Sequence, residues 1–511
     1  MMKFDSVINI QLPQDDRIHN NPVNYLIIIL ILVATFFSFL YLDTQSFWLD
    51  EACSISFVNL SWSQLWEIIS RREANMSLYY VLLKIWVAAF GDSEFAARSL
   101  SVIFAVGGVI MTYAIGARLF NVRTGLTAGL VLTVNAFFIK YAQEARGYTL
   151  LLLLTTFSMY LFIKVIERQQ YRYYIALGLT NALVLYAHFF GFFVLIAQII
   201  SLVFLPPRTI RWKRMLMCAI LTASLAVPLG IFILTQESHQ LGWISKPSLL
   251  SVVYVFMRFT GEGGSLLLLS YFIPCFVSFV FAVQAFIRFK KSNLVWRYAL
   301  LLCWLFVPIL SLYLVSMFNP LFVDRYMISS LPALVLLTGV GLSSFRSKAL
   351  YTVATSFLII LSLHTVFYVY YPEKKAEWRS ATRIIIQNAK EGDSILFYSR
   401  VAEIPFEYYY RKMNGRNEIL VSVYPFPLGS SFRVKMSTKV LKNPSESMLE
   451  SLSERYDRLW VVLAHDMIEG LGWDSRPIIR AIERKYINRE NFSFTGIKIK
   501  LYERYSDHGK Q

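Results

Sequence analysis

Long apolar runs recur through the first 371 residues of this chain, and they constrain the fold more than any other feature of the sequence. An α-helix needs about 20 mostly apolar residues to cross the hydrocarbon layer of a bilayer. Runs of suitable length lie near 24–42, 99–117, 124–140, 148–166, 173–190, 191–205, 215–235, 265–287, 298–318, 327–342 and 349–371, which predicts about eleven crossings. Within a bilayer the backbone must satisfy its own hydrogen bonds, so runs of this length predict a polytopic α-helical membrane protein. Composition excludes a soluble alternative, because 56% of the residues are hydrophobic, 16% are charged and the mean hydropathy is +0.49.

The net charge of +17 could in principle serve nucleic acid. That reading needs a basic face on a soluble fold, whereas here the basic residues lie mainly between apolar runs. Alternate connections hold Arg118 and Arg123; Lys164, Arg168 and Arg172; Arg208, Arg211, Lys213 and Arg214; Arg288, Lys290, Lys291 and Arg297; and Arg346 and Lys348, against the single acid Glu167. The opposite connections hold Lys140, Arg146, Lys246, Arg258 and Arg325 against Glu144, Glu237, Glu262 and Asp324. The excess of Lys and Arg marks the first set as cytoplasmic, provided that 78–90, which is short and interrupted by Lys84 and Trp86, lies in the interface instead of crossing. The N-terminus is then cytoplasmic, and its first apolar run reads as an uncleaved span. The loop 43–98 and everything after 371 are extracytoplasmic, in a protein of the cell inner membrane. Cys53, Cys218, Cys275 and Cys303 show neither a disulfide framework nor metal-ligand spacing.

After residue 371 the character changes. Charges become frequent, and 377–390, 445–456 and 475–486 read as helices alternating with strands at 393–398, 459–464 and 496–502. The expected division is a membrane domain over 1–371, with the long first external loop 43–98, followed by a small α/β domain over 372–511.

Polar chemistry can gather beside the membrane only in the external loops. The first carries the adjacent acids Asp50 and Glu51, followed by Glu73 and Asn75. The second reads Tyr141-Ala142-Gln143-Glu144-Ala145-Arg146-Gly147-Tyr148; another contributes Tyr186-Ala187-His188-Phe189-Phe190-Gly191, and a later one Asp324-Arg325-Tyr326. Charges at such positions are costly unless paired or solvated, so they are candidates for function, the bland alternatives being interfacial pairs and anchors. Arginines there could grip a phosphate, and a carboxylate could activate a hydroxyl.

These phrases, together with Asp324-Arg325-Tyr326-Met327-Ile328-Ser329-Ser330-Leu331-Pro332, resemble bacterial members of glycosyltransferase family 39. That family includes relatives of the dolichyl-phosphate-mannose protein mannosyltransferases and of the lipid A aminoarabinose transferases, within the multispanning C-type superfamily. The likeness extends over most of 43–371, with one departure: Asn75-Met76-Ser77-Leu78-Tyr79 stands where the family carries His-Pro-Pro-Leu-Tyr. The resemblance implies transfer of a sugar from a polyprenyl-phosphate-linked donor to a lipid, glycan or protein acceptor. Asp50 is the implied general base with Glu51 beside it, and Arg146, Arg325 and Tyr326 are the donor-phosphate group. Glu144, Tyr148, His188 and Asn75 are candidates for holding acceptor or sugar. Glu51, Glu144 and His188 could share a divalent ion, although no spacing singles out a metal. A transporter or lipid flippase is the competing class. Such proteins place ionisable groups near the midplane and show repeated halves, whereas here the charges gather at one face and no repeat is evident.

Overall fold

The protein is described here from a computed structural model covering residues 21–207, 209–235, 244–398, 402–414, 422–424, 454–464 and 475–505. The chain forms two compact units, one comprising Met1–Leu42 with Ser61–Pro372 and the other Asp43–Leu60 with Glu373–Gln511. The stretch holding Asp50 and Glu51 therefore packs with the C-terminal residues.

In chain order the helices are α1 (Asn21–Phe39), α2 (Leu49–Val58), α3 (Trp62–Arg71), α4 (Ser77–Phe90), α5 (Glu94–Leu119), α6 (Val122–Thr133), α7 (Ala136–Ala142), α8 (Tyr148–Arg168), α9 (Tyr171–Ala187), α10 (Phe192–Ser201), α11 (Trp212–Thr235), α12 (Leu249–Phe259), α13 (Gly264–Phe289), α14 (Asn293–Ser316), α15 (Leu331–Ser343) and α16 (Lys348–Thr365). Among the described residues seven helices are long and apolar enough to cross a membrane, or eight if a bent pair counts as one span. The expected runs 24–42, 173–190 and 191–205 form shorter apolar helices, α1, α9 and α10. Multiple membrane-crossing helices are thus the architecture, as the apolar runs predict.

Two local departures from the expected runs stand out. The run 124–140 is not one straight helix: α6 and α7 meet at 65°. Asn135 sits at the break, where its Oδ1 accepts from Phe138 N at 2.9 Å and its Nδ2 donates to Phe259 O at 2.7 Å. One buried amide thus caps α7 and satisfies a carbonyl at the end of another helix. Residues 249–259, expected as loop, form α12, an apolar helix too short to cross. The 78–90 run becomes α4, which extends over 14 residues and turns Tyr79, Tyr80 and Leu83 inward.

Close helix contacts rest on small residues. A Cβ added at Gly341 would lie 2.0 Å from the Pro274 carbonyl oxygen, so α15 and α13 touch backbone to backbone.

In the second unit, a five-stranded sheet runs in the order β2-β1-β3-β5-β4, with β1 (Ser394–Phe397), β2 (Ser422–Tyr424), β3 (Arg458–Ala464), β4 (Tyr486–Phe494) and β5 (Ile497–Arg504). β1 pairs in parallel with β2 and β3, whereas β5 runs antiparallel to β3 and β4. The helices α17 (Trp378–Asn388), α18 (Glu403–Asn414) and α19 (Arg476–Ile482) complete it. The expected helix 475–486 stops at Ile482 because Tyr486 begins β4, a largely polar edge strand whose charges hide its strand character. All but the last three residues of the expected helix 445–456 lie outside the described residues.

Glu377-Trp378-Arg379 organises this unit. Glu377 accepts from Thr495 N and Oγ1 at 3.0 Å each, at the β4–β5 turn, and the first of these bonds helps to hold its carboxyl below the usual range. Trp378 is buried, and Arg379 donates to Asp43 O at 3.0 Å. Phe47 N donates to Tyr409 Oη at 2.7 Å, and the Phe47 ring meets that of Tyr408 at 5.1 Å, so 43–60 is anchored on α18.

Candidate active site

In the first unit three short breaks between α-helices meet. The turn between α7 and α8 carries Glu144, Arg146 and Gly147. Arg146 N donates to Glu144 O at 2.7 Å and Ser101 Oγ to Arg146 O at 3.3 Å, while Arg146 Nη1 donates to Tyr80 Oη at 3.2 Å. The break after α9 carries His188, whose extended backbone (φ −169°, ψ 133°) lies outside both neighbouring helices. The third break is the 3-10 turn Asp324–Ser330, where Asp324 Oδ1 accepts from Arg325 N at 2.8 Å. Arg258, on α12, pairs with Glu262 at 2.9 Å and approaches Asp324 at 3.7 Å.

Aromatic rings join the three. His188 lies 5.1 Å from Tyr326 and 6.4 Å from Tyr148, and Phe190 is 5.1 Å from Tyr326. Arg146 stands 5.9 Å from the Tyr148 ring and Arg325 5.6 Å from the Tyr326 ring. Each of the two tyrosines nearest His188 thus carries a guanidinium close to its ring. Burial, and then the charges of Arg146 and Arg325, push the imidazole down to about 3. The imidazole therefore adds no positive charge to a cluster that already holds Arg146 and Arg325 beside the acids Glu144 and Asp324. Its Nδ1 accepts from Phe190 N at 3.3 Å, and its Nε2 lies 3.4 Å from Asn75 Nδ2. Asn75 also accepts from Phe189 N at 3.2 Å and so fixes the break.

The structure therefore brings together Asn75, Glu144, Arg146, Tyr148, His188, Arg325 and Tyr326 in one unit. Sequence reasoning did not identify Tyr80, Ser101 or Arg258 as part of this neighbourhood. Tyr80 and Ser101 sit inside apolar helices where they read as core, and Arg258 belongs to a helix taken for loop.

Asp50 and Glu51 belong to the second unit, in the first turn of α2. An extended chain would turn neighbouring carboxylates to opposite sides. On this helix they diverge by about 100°. Glu51 is fully buried and pairs with Lys375 Nζ at 3.3 Å, whereas Asp50 is half-buried. Two acids adjacent in sequence thus occupy different environments.

Of the three residues considered for a divalent ion, Glu51 lies in the second unit and Glu144 and His188 in the first. Among the described residues no three His, Cys, Asp or Glu side chains gather as a metal site. Glu51 faces an ammonium, and His188 Nδ1 is engaged by a backbone N–H.

Residues 77–232 match the family model described as dolichyl-phosphate-mannose-protein mannosyltransferase. Among solved structures, ArnT from Cupriavidus metallidurans in the apo state aligns with a TM-score of 0.60 at 12% identity, over 94% of this chain and 98% of that one. ArnT bound to undecaprenyl phosphate aligns with a TM-score of 0.59 at 12% identity, over 96% of this chain and 100% of that one. The oligosaccharyltransferase of Archaeoglobus fulgidus in the apo form gives a TM-score of 0.52 at 12% identity, over 95% of this chain and 74% of that chain. Among curated protein sequences, none matches this chain. The fold is that of a multispanning C-type membrane glycosyltransferase. Within that fold, residues 77–232 carry the likeness to the mannosyltransferase family model. Nothing in these likenesses points to a transporter.

Proposed function

We propose that this enzyme transfers a sugar from a polyprenyl-phosphate-linked donor to an acceptor hydroxyl at the extracytoplasmic face, with inversion. The observation that carries the reading is the convergence on buried His188 of Tyr148 and Tyr326, at 6.4 and 5.1 Å between rings, each with a guanidinium, Arg146 or Arg325, within 6 Å of its ring. A lipid phosphate must keep its tail in the bilayer and its charge at the interface, and paired guanidiniums between apolar helices suit such a group. The likeness to ArnT bound to undecaprenyl phosphate supports this lipid class.

In the proposed reaction the acceptor oxygen attacks the anomeric carbon as its proton passes to Asp50. The bond from that carbon to the phosphate oxygen breaks, and the polyprenyl phosphate departs with its negative charge held by Arg146 and Arg325. Tyr326 lines the phosphate group. Glu144, Tyr148, His188 and Asn75 shape the sugar or acceptor side. Asp50 is assigned the base because it is half-buried in the first turn of α2, while Glu51 is buried against Lys375. The acceptor is a lipid, glycan or protein hydroxyl.

The test is sugar transfer in membranes from polyprenyl phosphate donors. Asp50→Asn keeps the shape but cannot take the proton, and should lower turnover by at least about 100-fold with donor binding nearly unchanged. Normal turnover in both Asp50→Asn and Glu51→Gln refutes the mechanism.

A further inference from the structure

The side chain just ahead of the Glu144–Arg146 turn is held by several partners at once. Gln143 is 6% exposed. Its Nε2 faces three carbonyls at the end of α1: Leu40 O at 2.7 Å, Ser38 O at 3.2 Å and Phe37 O at 3.4 Å. Its Oε1 accepts from Tyr370 Oη at 2.8 Å, in the π-turn Val366–Tyr370 that follows α16. Gln143 N in turn donates to Ile139 O at 3.0 Å, so the side chain is rigidly attached to the C-terminal end of α7.

The carbonyls at a helix C-terminus have no partners within the helix, and they need donors when buried. Only an uncharged side chain carrying both a donor and an acceptor can serve the α1 carbonyls and the Tyr370 hydroxyl at once. Glutamine does both; a carboxylate would be repelled by the carbonyls, and an ammonium or guanidinium could not accept from the tyrosine. This arrangement pins one side of the turn that carries Arg146. Ser101 and Tyr80 hold its other side.

We infer that Gln143 is a positioning residue for the reaction, fixing the turn so that Arg146 meets the lipid phosphate. The inference rests on the phosphate-binding role proposed above for Arg146. Loss of a buried hydrogen-bond network leaves polar groups unsatisfied and lets the turn relax, and a guanidinium that has moved loses its aligned bonds to an anion.

The experiment measures binding of undecaprenyl phosphate to the purified full-length protein in detergent, for the wild type, Gln143→Met, Arg146→Gln and the double variant. Methionine matches the length of glutamine without its amide. Gln143→Met should weaken binding roughly tenfold, in keeping with the loss of a buried hydrogen-bond anchor. The double variant should bind no worse than Arg146→Gln alone, because Gln143 acts through Arg146. A merely structural glutamine would give additive losses, which would overturn the inference, as would unchanged binding by Gln143→Met. If Arg146→Gln itself binds normally, the phosphate role of Arg146 fails and the inference with it; weak binding by Arg146→Gln beside normal binding by Gln143→Met removes the inference alone. Should Gln143→Met not fold, Tyr370→Phe removes the 2.8 Å bond to Oε1 and is expected to weaken binding in the same direction by a smaller factor. Unchanged binding by Tyr370→Phe would then overturn the inference.

Discussion

Glu51 offers the sharpest test of how the acid pair divides its labour. Its carboxylate is completely buried, and Lys375 Nζ, on a side chain 15% exposed, lies 3.3 Å away. Replacing Glu51 with Gln leaves the ammonium with no countercharge from that position in a poorly hydrated setting. Breaking a buried pair by removing one partner costs about 3 to 5 kcal/mol. For a unit of this size each kcal/mol moves the melting temperature by about 2 to 4 °C. Glu51→Gln should therefore melt the second unit roughly 6 to 20 °C below the wild type, a shift readable by protease susceptibility of that unit on heating. Replacing Lys375 as well, in Glu51→Gln with Lys375→Met, removes the ammonium that has lost the Glu51 carboxylate and should recover most of the loss, because an apolar partner of similar length costs little there. Turnover should return with stability in the double variant. A Glu51→Gln protein that melts like the wild type yet cannot transfer sugar, with no recovery on adding Lys375→Met, would refute the structural role and make Glu51 a chemical participant.

Two further outcomes follow from the fold. Accessibility tags near Arg211 and Lys290 should be protected in intact cells and a C-terminal tag accessible from outside the cytoplasm; the reverse labelling would remove the extracytoplasmic placement of the reaction. Gly341→Ala would drive a methyl group into the Pro274 carbonyl, 2.0 Å from its ideal position, and should destabilise the α13–α15 contact by about 1 to 3 kcal/mol, seen as a lowered melting temperature in detergent; wild-type melting would mean that the two helices can separate at little cost.

The apolar runs sufficed for the membrane class, because a helix that must bury its own backbone polarity in lipid announces itself by length alone. The loop phrases around Glu144, His188 and Arg325 were equally legible, since charge beside lipid is rare enough to stand out. Strands β1, β3 and β5 were readable as apolar stretches, whereas β4 was hidden by the charges that protect a sheet edge. Other features depend on partners far away in the chain. Asn135 breaks its helix because Phe259 and Tyr271 supply the partners, and Gln143 anchors its turn through α1 and Tyr370. The different surroundings of Asp50 and Glu51 arise because α2 packs on α18 and meets Lys375, more than three hundred residues downstream. Periodicity and charge report on a residue's neighbours along the chain and on its solvent, so they locate elements and candidate groups. Which acid is buried, and what it is buried against, was decided by tertiary packing alone.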